Sequence, residues 1–474
     1  MATRPDQRDE RQRRRPRRPR HRPRAKRIRE PRRRRRRRYQ PRLRPLAPPP
    51  RQSRLHHRPL PSQRRRANGG VAMSPILFLA ILAASLCAAP LIMTAINLCL
   101  CRRPDRDAPW PDDTPRVFVC IPARNEETNI EACVRSVLYD SDDNIRVVVY
   151  DDQSEDQTPA ILARLAAEDP RVLPAPTRPL PAGWNGKQHA CWRMARAAID
   201  AELGVPALDD RDLLVFTDAD VRFEPAALRA AVAEMRRLNA DMVSCFPRQI
   251  TGTLAEATLV PMMFYLLFGY LPMPRMRRTN DPSASAGCGQ FLMLTANVYT
   301  KSGGHEAFRD SMHDGIMLPR AVRRAGLRSD LFDGSATASV RMYRGFSETW
   351  RGFAKNAYEG LGSIGLLVFL TALHAIGHVA PWIIAVWILA TGPTAHPASL
   401  VLSMVAIALQ LSQRLWLANR LDHSRVGALL HPVGVTLMTA IQWHSYVLHV
   451  TRRRAWRGRT AGDPTPTPTP GTLD

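Results

Sequence analysis

The chain has 474 residues and a formal net charge of +27, enough length for more than one domain. A charge of that size, spread evenly, would mark a nucleic-acid binder. Residues 1–72, however, hold 28 arginines, one lysine and four acids, a net of +25, which leaves +2 on the other 402 residues. The folded part is therefore nearly neutral, and no specific nucleic-acid partner is expected of it. The eight cysteines, at 87, 99, 101, 120, 133, 191, 245 and 288, form no CxxC pair and no Cys/His cluster with zinc spacing. Several lie in apolar runs and read as reduced, buried thiols, which fits a cytoplasmic catalytic domain. Cys99 and Cys101 flank a membrane segment, where palmitoylation is the alternative.

In chain order, residues 1–72 are rich in Arg and Pro without apolar periodicity, and such a segment stays disordered. It reads as an electrostatic tether to anionic lipid or nucleic acid, or as no part of the native protein, because Met73 directly precedes the first hydrophobic segment. Residues 75–100, PILFLAILAASLCAAPLIMTAINLCL, carry no charge and are long enough to span a bilayer, with Pro90 as a kink. No clear cleavage site follows, so 73–101 reads as a retained transmembrane anchor.

Residues 115–357 read as a soluble domain. VFVCIPA, RVVVYDD and DLLVFTDAD are strand-like. NIEACVRSVL, TPAILARLAAE and PAALRAAVAEMRRL, which alternate with them, are helix-like. Continuous apolar strands separated by helices predict an α/β domain with a mostly parallel sheet covered on both faces. From 361 to 450 the chain returns to the membrane in three apolar stretches, 361–390, 398–417 and 427–448. The first is interrupted by His374, His378 and Pro381 and is one kinked span or two short ones. The basic cluster TRRRAWRGR that opens the tail 451–474, before its Thr/Pro-rich end, favours the cytoplasmic side. A cytoplasmic catalytic domain then requires an even number of intervening spans, and four is the preferred count.

In open α/β sheets ligands bind at the carboxyl ends of the strands. Three strand ends here carry polar clusters: ARNEE, the pair Asp151-Asp152, and Asp218-Ala219-Asp220. One such acid is ordinarily a helix cap; three converging clusters point to a site. Asp218 and Asp220 form a D-x-D, suited to a divalent cation that neutralises a diphosphate. GWNGK at 183–187 opens a helix, where Lys187 meets phosphate or nucleotide, or is an exposed residue after a Gly turn.

The order of these motifs resembles the family-2 glycosyltransferases of GT-A fold, over roughly residues 115–357. PARNEE at 122–127 is similar to the family's first nucleotide-binding loop. DDQSEDQT at 151–158 is similar to its Asp-Asp-x-Ser-x-Asp-x-Thr segment, GKQHA at 186–190 to its Gly-Lys loop and TDAD at 217–220 to its metal motif. The flanking spans resemble the membrane branch that includes hopanoid-associated and carotenoid glycosyltransferases. The resemblance implies a nucleotide-sugar donor held by Ala123, Arg124, Asn125, Glu126, Asp151, Asp152, Lys187 and Asp218. It also implies a divalent cation, Mg2+ or Mn2+, on Asp220. Met312-His313-Asp314-Gly315 occupies the place of the family's Glu-Asp pair, so Asp314 is the expected base, with His313 where Glu is usual. Arg341 and Arg344 keep the charged spacing of a Gln-x-x-Arg-Trp motif without its Gln or Trp, which favours single-sugar transfer and leaves them to meet diphosphate or acceptor.

Residues 259–271, LVPMMFYLLFGYL, are too short to span a membrane and read as a buried core helix or as an interfacial segment beside the site. With the spans, they favour a hydrophobic acceptor such as a polyprenyl, hopanoid or carotenoid lipid. The expected enzyme is thus a multi-pass protein of the inner (plasma) membrane with its catalytic domain in the cytoplasm. The rival readings are a processive polysaccharide synthase and a nucleic-acid or anionic-membrane binder acting through the Arg-rich tail.

Overall fold

The computed structural model describes residues 73–460 apart from 141, 452, 454, 457 and 458, so the expectations for segments 1–72 and 461–474 lie outside the described residues. The described chain begins with α1 (Pro75–Leu100), a helix that continues through Pro90. An α/β domain follows. Its first strands, β1 (Val117–Ala123) and β2 (Ile145–Asp151), pair in parallel with Val117 opposite Ile145 and Ala123 opposite Asp151. Between them α2 (Ile130–Val137) turns Ile130, Cys133, Val134 and Val137 onto the sheet, the spacing of one helical face.

Next come α3 (Thr158–Glu168), β3 (Val172–Pro174), α4 (Gly186–Ile199), β4 (Leu213–Phe216), β5 (Val221–Phe223) and α5 (Ala227–Leu238). After β6 (Met242–Cys245) and β7 (Arg248–Gln249) the chain leaves the sheet for α6 (Leu254–Leu259), α7 (Met262–Tyr270) and α8 (Met273–Arg278). It returns through β8 (Leu292–Thr295), α9 (Ala296–Lys301), α10 (Asp314–Arg324), β9 (Ser329–Phe332) and β10 (Ala338–Val340).

The main sheet has the order β3-β2-β1-β4-β8-β6-β9. β8 runs antiparallel to β4 and β6, and the other pairs are parallel. Every residue of β1, β4 and β6 is buried, which is why strands covered on both faces read as unbroken apolar runs. The strand runs legible in the sequence are β1, β2 and β4. The small sheet β5-β10-β7 has strands of two or three residues, too short to leave a pattern.

After the sheet, α11 (Gly345–Ala354) and α12 (Ala357–Leu361) lead into the helical region. The stretch 361–390 becomes one continuous helix, Ile364–Thr391. It consists of α13 (Ile364–Leu373), a π-helical turn over His374–Val379 and α14 (Ala380–Thr391). Pro381 falls in the first turn of α14, where a missing N–H is tolerated, so the division of this stretch into two short spans, and with it the count of four, does not hold. α15 (Pro397–Leu421), α16 (Arg425–Leu429) and α17 (His431–Val450) follow, with a short hairpin of β11 (Ala455–Trp456) and β12 (Arg459–Thr460). Among the described residues three helices are long and apolar enough to cross a membrane: α1, Ile364–Thr391 and α15.

Residues 259–271 form a buried helix rather than an exposed interfacial one. No residue of this stretch is exposed, and α7 packs against α1. The contact is pinned by Asn97 of α1. Its Nδ2 donates to the carbonyls of Phe268 at 2.9 Å and Leu271 at 2.7 Å, at the end of α7 where the helix leaves its own carbonyls unpaired. Asn97→Leu removes both donors from a buried spot. It is expected to destabilise the protein by about 1–3 kcal/mol, read as a lower melting temperature in detergent; an unchanged melting temperature would show that α7 is held elsewhere.

Candidate active site

The first two strand-end loops are bound to each other. Arg124 sends its Nη1 to the carbonyls of Asp152 and Gln153, and its Nη2 lies 3.5 Å from Glu155. Asn125, in the left-handed region at φ 53°, accepts from the Glu155 N–H at 2.8 Å, while its own N–H donates to Ser154 Oγ. The Glu127 N–H donates to Asp156, and the Gln157 N–H to Glu127. ARNEE and DDQSEDQT are therefore one rigid platform. Of the platform residues expected to hold the donor, Glu126 lines the large cavity described below, whereas Ala123, Arg124, Asn125, Asp151 and Asp152 do not line it.

Asn185 caps α4 by accepting from the Lys187 N–H at 3.0 Å. This sets Lys187 in the first turn, where its ammonium bridges two carboxylates: Asp218 Oδ1 at 2.5 Å and Asp314 Oδ2 at 3.0 Å. Asp218 stands just past β4, and Asp314 is the first residue of α10. Burial alone would lower the Lys187 pKa, but the two carboxylates outweigh it and hold the group well above its usual value. Burial likewise works to raise Asp314, and the Lys187 charge and hydrogen bond reverse the sign, so its pKa is lowered.

Asp220 is in the opposite condition. Its Oδ1 is buried with no hydrogen-bond partner. Burial, then the charges of Asp218 and Glu126, push its pKa up to about 7. A buried carboxylate oxygen with no partner, beside a second carboxylate, has the chemistry to accept a divalent cation. Among the described residues no three His, Cys, Asp or Glu groups converge as a metal cage. A divalent ion here would therefore take one or two carboxylates and complete its shell with phosphate and water oxygens, the usual habit of Mg2+.

These groups line a cavity of about 1040 Å³. The α/β domain contributes Glu126, Lys187, Asp218, Asp220, His313 and Asp314. The helical region contributes Met263, Leu266 and Leu267 of α7, Leu361 of α12, and Met438 and Gln442 of α17. The loop Gly287–Gly289 also lines it: a Cβ at Gly289 would collide with the Asp314 carboxylate, so glycine is required for that close approach. His313 precedes α10, and burial lowers its pKa, which favours a neutral ring.

Two expected cations are not where the motif spacing put them. Arg341 and Arg344 do not line the cavity. Arg341 is turned onto Glu256, with both contacts at 3.2 Å, and Arg344 is exposed before α11, its N–H donating to Glu348. Glu256 is fully buried and accepts also from Gly252 and Gly345, so Arg341 satisfies a carboxylate that would otherwise be costly. The cations that do line the cavity besides Lys187 are Arg351 and Lys355. Their sole trace in the sequence is an i, i+4 spacing on a helical stretch.

Residues 118–301 match the family model described as glycosyl transferase family 2. Over these residues the chain is similar to the family-2 glycosyltransferases, and the matched segment covers the strand-end platform, Lys187 and the D-x-D. A 4,4'-diaponeurosporenoate glycosyltransferase of Staphylococcus haemolyticus is 25% identical over 255 residues, 53% of this chain and 64% of that protein. An uncharacterized protein of Mycobacterium tuberculosis is 31% identical over 115 residues, 24% of this chain and 31% of its own length. The chain thus spans less than two thirds of either relative. A mannosyltransferase of Pyrobaculum calidifontis, solved in complex with GDP-Man and Mn2+, aligns with a TM-score of 0.48 at 21% identity, over 79% of this chain and 99% of that one.

The Lys187 bridge yields a prediction with a sign. Lys187→Met leaves the Asp314 carboxylate buried without a countercharge, at a cost of about 3 kcal/mol or more. In the parent protein Asp314 has a depressed pKa, so its contribution is present above the unfolded carboxylate range and lost as pH falls. In the variant the cation that outweighed burial is gone, the folded pKa rises, and protonation relieves the cost. The melting-temperature deficit of the variant is therefore expected to be larger at pH 8 than at pH 5, and a deficit that widens towards pH 5 would contradict the bridge.

Proposed function

We propose that the protein is a membrane glycosyltransferase that moves one sugar from a nucleotide-diphosphate sugar to a hydrophobic acceptor. The observation that carries this reading is the single cavity that joins the family's carboxylates to the apolar side chains of α7, α12 and α17. A donor is polar and charged and an acceptor lipid is not, and this cavity offers a wall to each. The similarity to a 4,4'-diaponeurosporenoate glycosyltransferase supports the same class of acceptor. The three apolar helices support membrane attachment. In this reading the protein is multi-pass in the inner (plasma) membrane. Two spans between the catalytic domain and α17 keep both on the cytoplasmic side, where nucleotide sugars are made.

At the strand ends Glu126, Asp218, Asp220 and Asp314 place four carboxyl groups around Lys187, and Arg351 and Lys355 stand on the helical side of the same cavity, so the strand-end side by itself would repel a diphosphate. A divalent cation, Mg2+ or Mn2+, held by Asp220 and Asp218 would supply the missing positive charge and stabilise the leaving diphosphate. The platform of Ala123, Arg124, Asn125 and Glu126 with Asp151 and Asp152 supports base and ribose. Lys187 has carboxylates on both sides and, when phosphate oxygens compete for it, releases Asp314 from its ion pair, which raises the Asp314 pKa. Asp314 then takes the proton of an acceptor hydroxyl as that oxygen bonds to the anomeric carbon. The anomeric carbon–oxygen bond to the diphosphate breaks, and its electron pair leaves with the nucleoside diphosphate.

Labelled donor incubated with the purified protein and a lipid extract is expected to give one lipid-extractable product carrying a single sugar. A ladder of sizes would mean polymer synthesis. Asp314→Asn is expected to lower turnover at least about 100-fold with nucleotide-sugar affinity largely kept. Near-normal turnover of that variant would exclude Asp314 as the base and direct attention to His313.

A further inference from the structure

Arg351 and Lys355 have no part in the donor platform, and no family motif points to them. Arg351 lies in the last turn of α11, and Lys355 follows at its C-cap, with its N–H donating to the Arg351 carbonyl at 3.2 Å. Residues four apart on a helix share a face, and both side chains line the cavity. α11 is the segment that joins the last strand of the α/β domain to the helical region, and it packs against α6 and α17. Cations are favoured at any helix C-terminus. That accounts for basic residues at this end of α11, though not for their opening onto the cavity. Arg351 makes no ion pair among the described residues. The nearest acid in its own helix that lines the cavity, Glu348, caps the Arg344 N–H at 2.8 Å.

From this juxtaposition of two cations, an apolar wall and the donor carboxylates in one cavity, we infer that Arg351 and Lys355 form an anion-binding station for the acceptor head group. The acceptor is then an anionic amphiphile, a hydrocarbon chain that carries a carboxylate or phosphate for the two cations in addition to the hydroxyl that Asp314 deprotonates. The chain lies along Met263, Leu266, Leu267 and Met438, and the head group is held by charge-assisted hydrogen bonds that a neutral alcohol cannot supply. The inference rests on the cavity serving as the acceptor site. It adds that the acceptor is recognised by charge as well as by apolar contact.

The test uses the full chain in neutral detergent, with brominated palmitate, hexadecyl phosphate and hexadecanol as probes and tryptophan quenching as the readout. At least one anionic probe is expected to bind about tenfold or more tighter than the alcohol, and which of the two binds better separates a carboxylate acceptor from a phosphate one. R351Q combined with K355Q is expected to erase that preference, and R351K to keep most of it. If the double variant melts early, R351Q alone is expected to lose several-fold. Equal binding of all three probes, or a preference that survives the double variant, overturns the inference. So does a double variant that loses only its association with vesicles containing anionic lipid, because the cations then face the membrane surface. UDP and GDP binding, measured on the same samples, keeps the two readings apart: its loss in the parent protein would count against the transferase reading, whereas its retention with indifferent probes counts against the anion station alone.

Discussion

The Lys187 bridge is the contact on which the site depends. One ammonium reaches Asp218 at 2.5 Å and Asp314 at 3.0 Å, and so joins the end of β4 to the start of α10, elements more than ninety residues apart in the chain. Without it, the buried Asp314 carboxylate would lose its countercharge, and burial would raise its pKa. With it, the Asp314 pKa is lowered and both side chains are tied to one cation, while Asp220 makes no ion pair among the described residues and its buried Oδ1 has no hydrogen-bond partner.

A second constraint comes from the helices. α1 and α15 are packed against each other and both touch α7, so the helix that forms the apolar wall of the cavity is clamped by segments that have the length and composition of membrane spans. Polar groups do the fastening. Asn97 ties down the end of α7, Gln413 donates to Thr94 at 2.9 Å, and Arg414 donates to the Pro261 carbonyl at 3.1 Å just before α7 begins. Polar side chains inside an apolar bundle fix position because few alternative partners exist. The cavity wall is therefore set by the same contacts that hold the bundle together.

The sheet was legible because β1, β2 and β4 are buried on both faces and the helices between them show a clear apolar stripe. Lys187, Asp218, Asp220 and Asp314 were legible because polar groups at strand ends and helix starts stand out against such runs, and because their order resembles a known family. The short strands β5, β7 and β10 left no period to read. Arg341 was misplaced because spacing along the chain is silent on Glu256, a buried acid that captures it from 85 residues away. Arg351, Lys355 and Gln442 were missed because a cavity wall built from four helices, α7, α11, α12 and α17, exists only after packing. The span count failed at one point, where a π turn carries the helix past His374 and His378 without a break.

Calorimetric titration of the purified protein with UDP and with GDP, in Mn2+ and again in EDTA, addresses the central assignment most directly. Binding of at least one nucleotide that requires Mn2+, returns when the metal is restored, and is lost in Asp220→Asn while the melting temperature is kept is the expected result. Binding of equal strength in EDTA, or undiminished in Asp220→Asn, would contradict a cation held by Asp220 at the donor site.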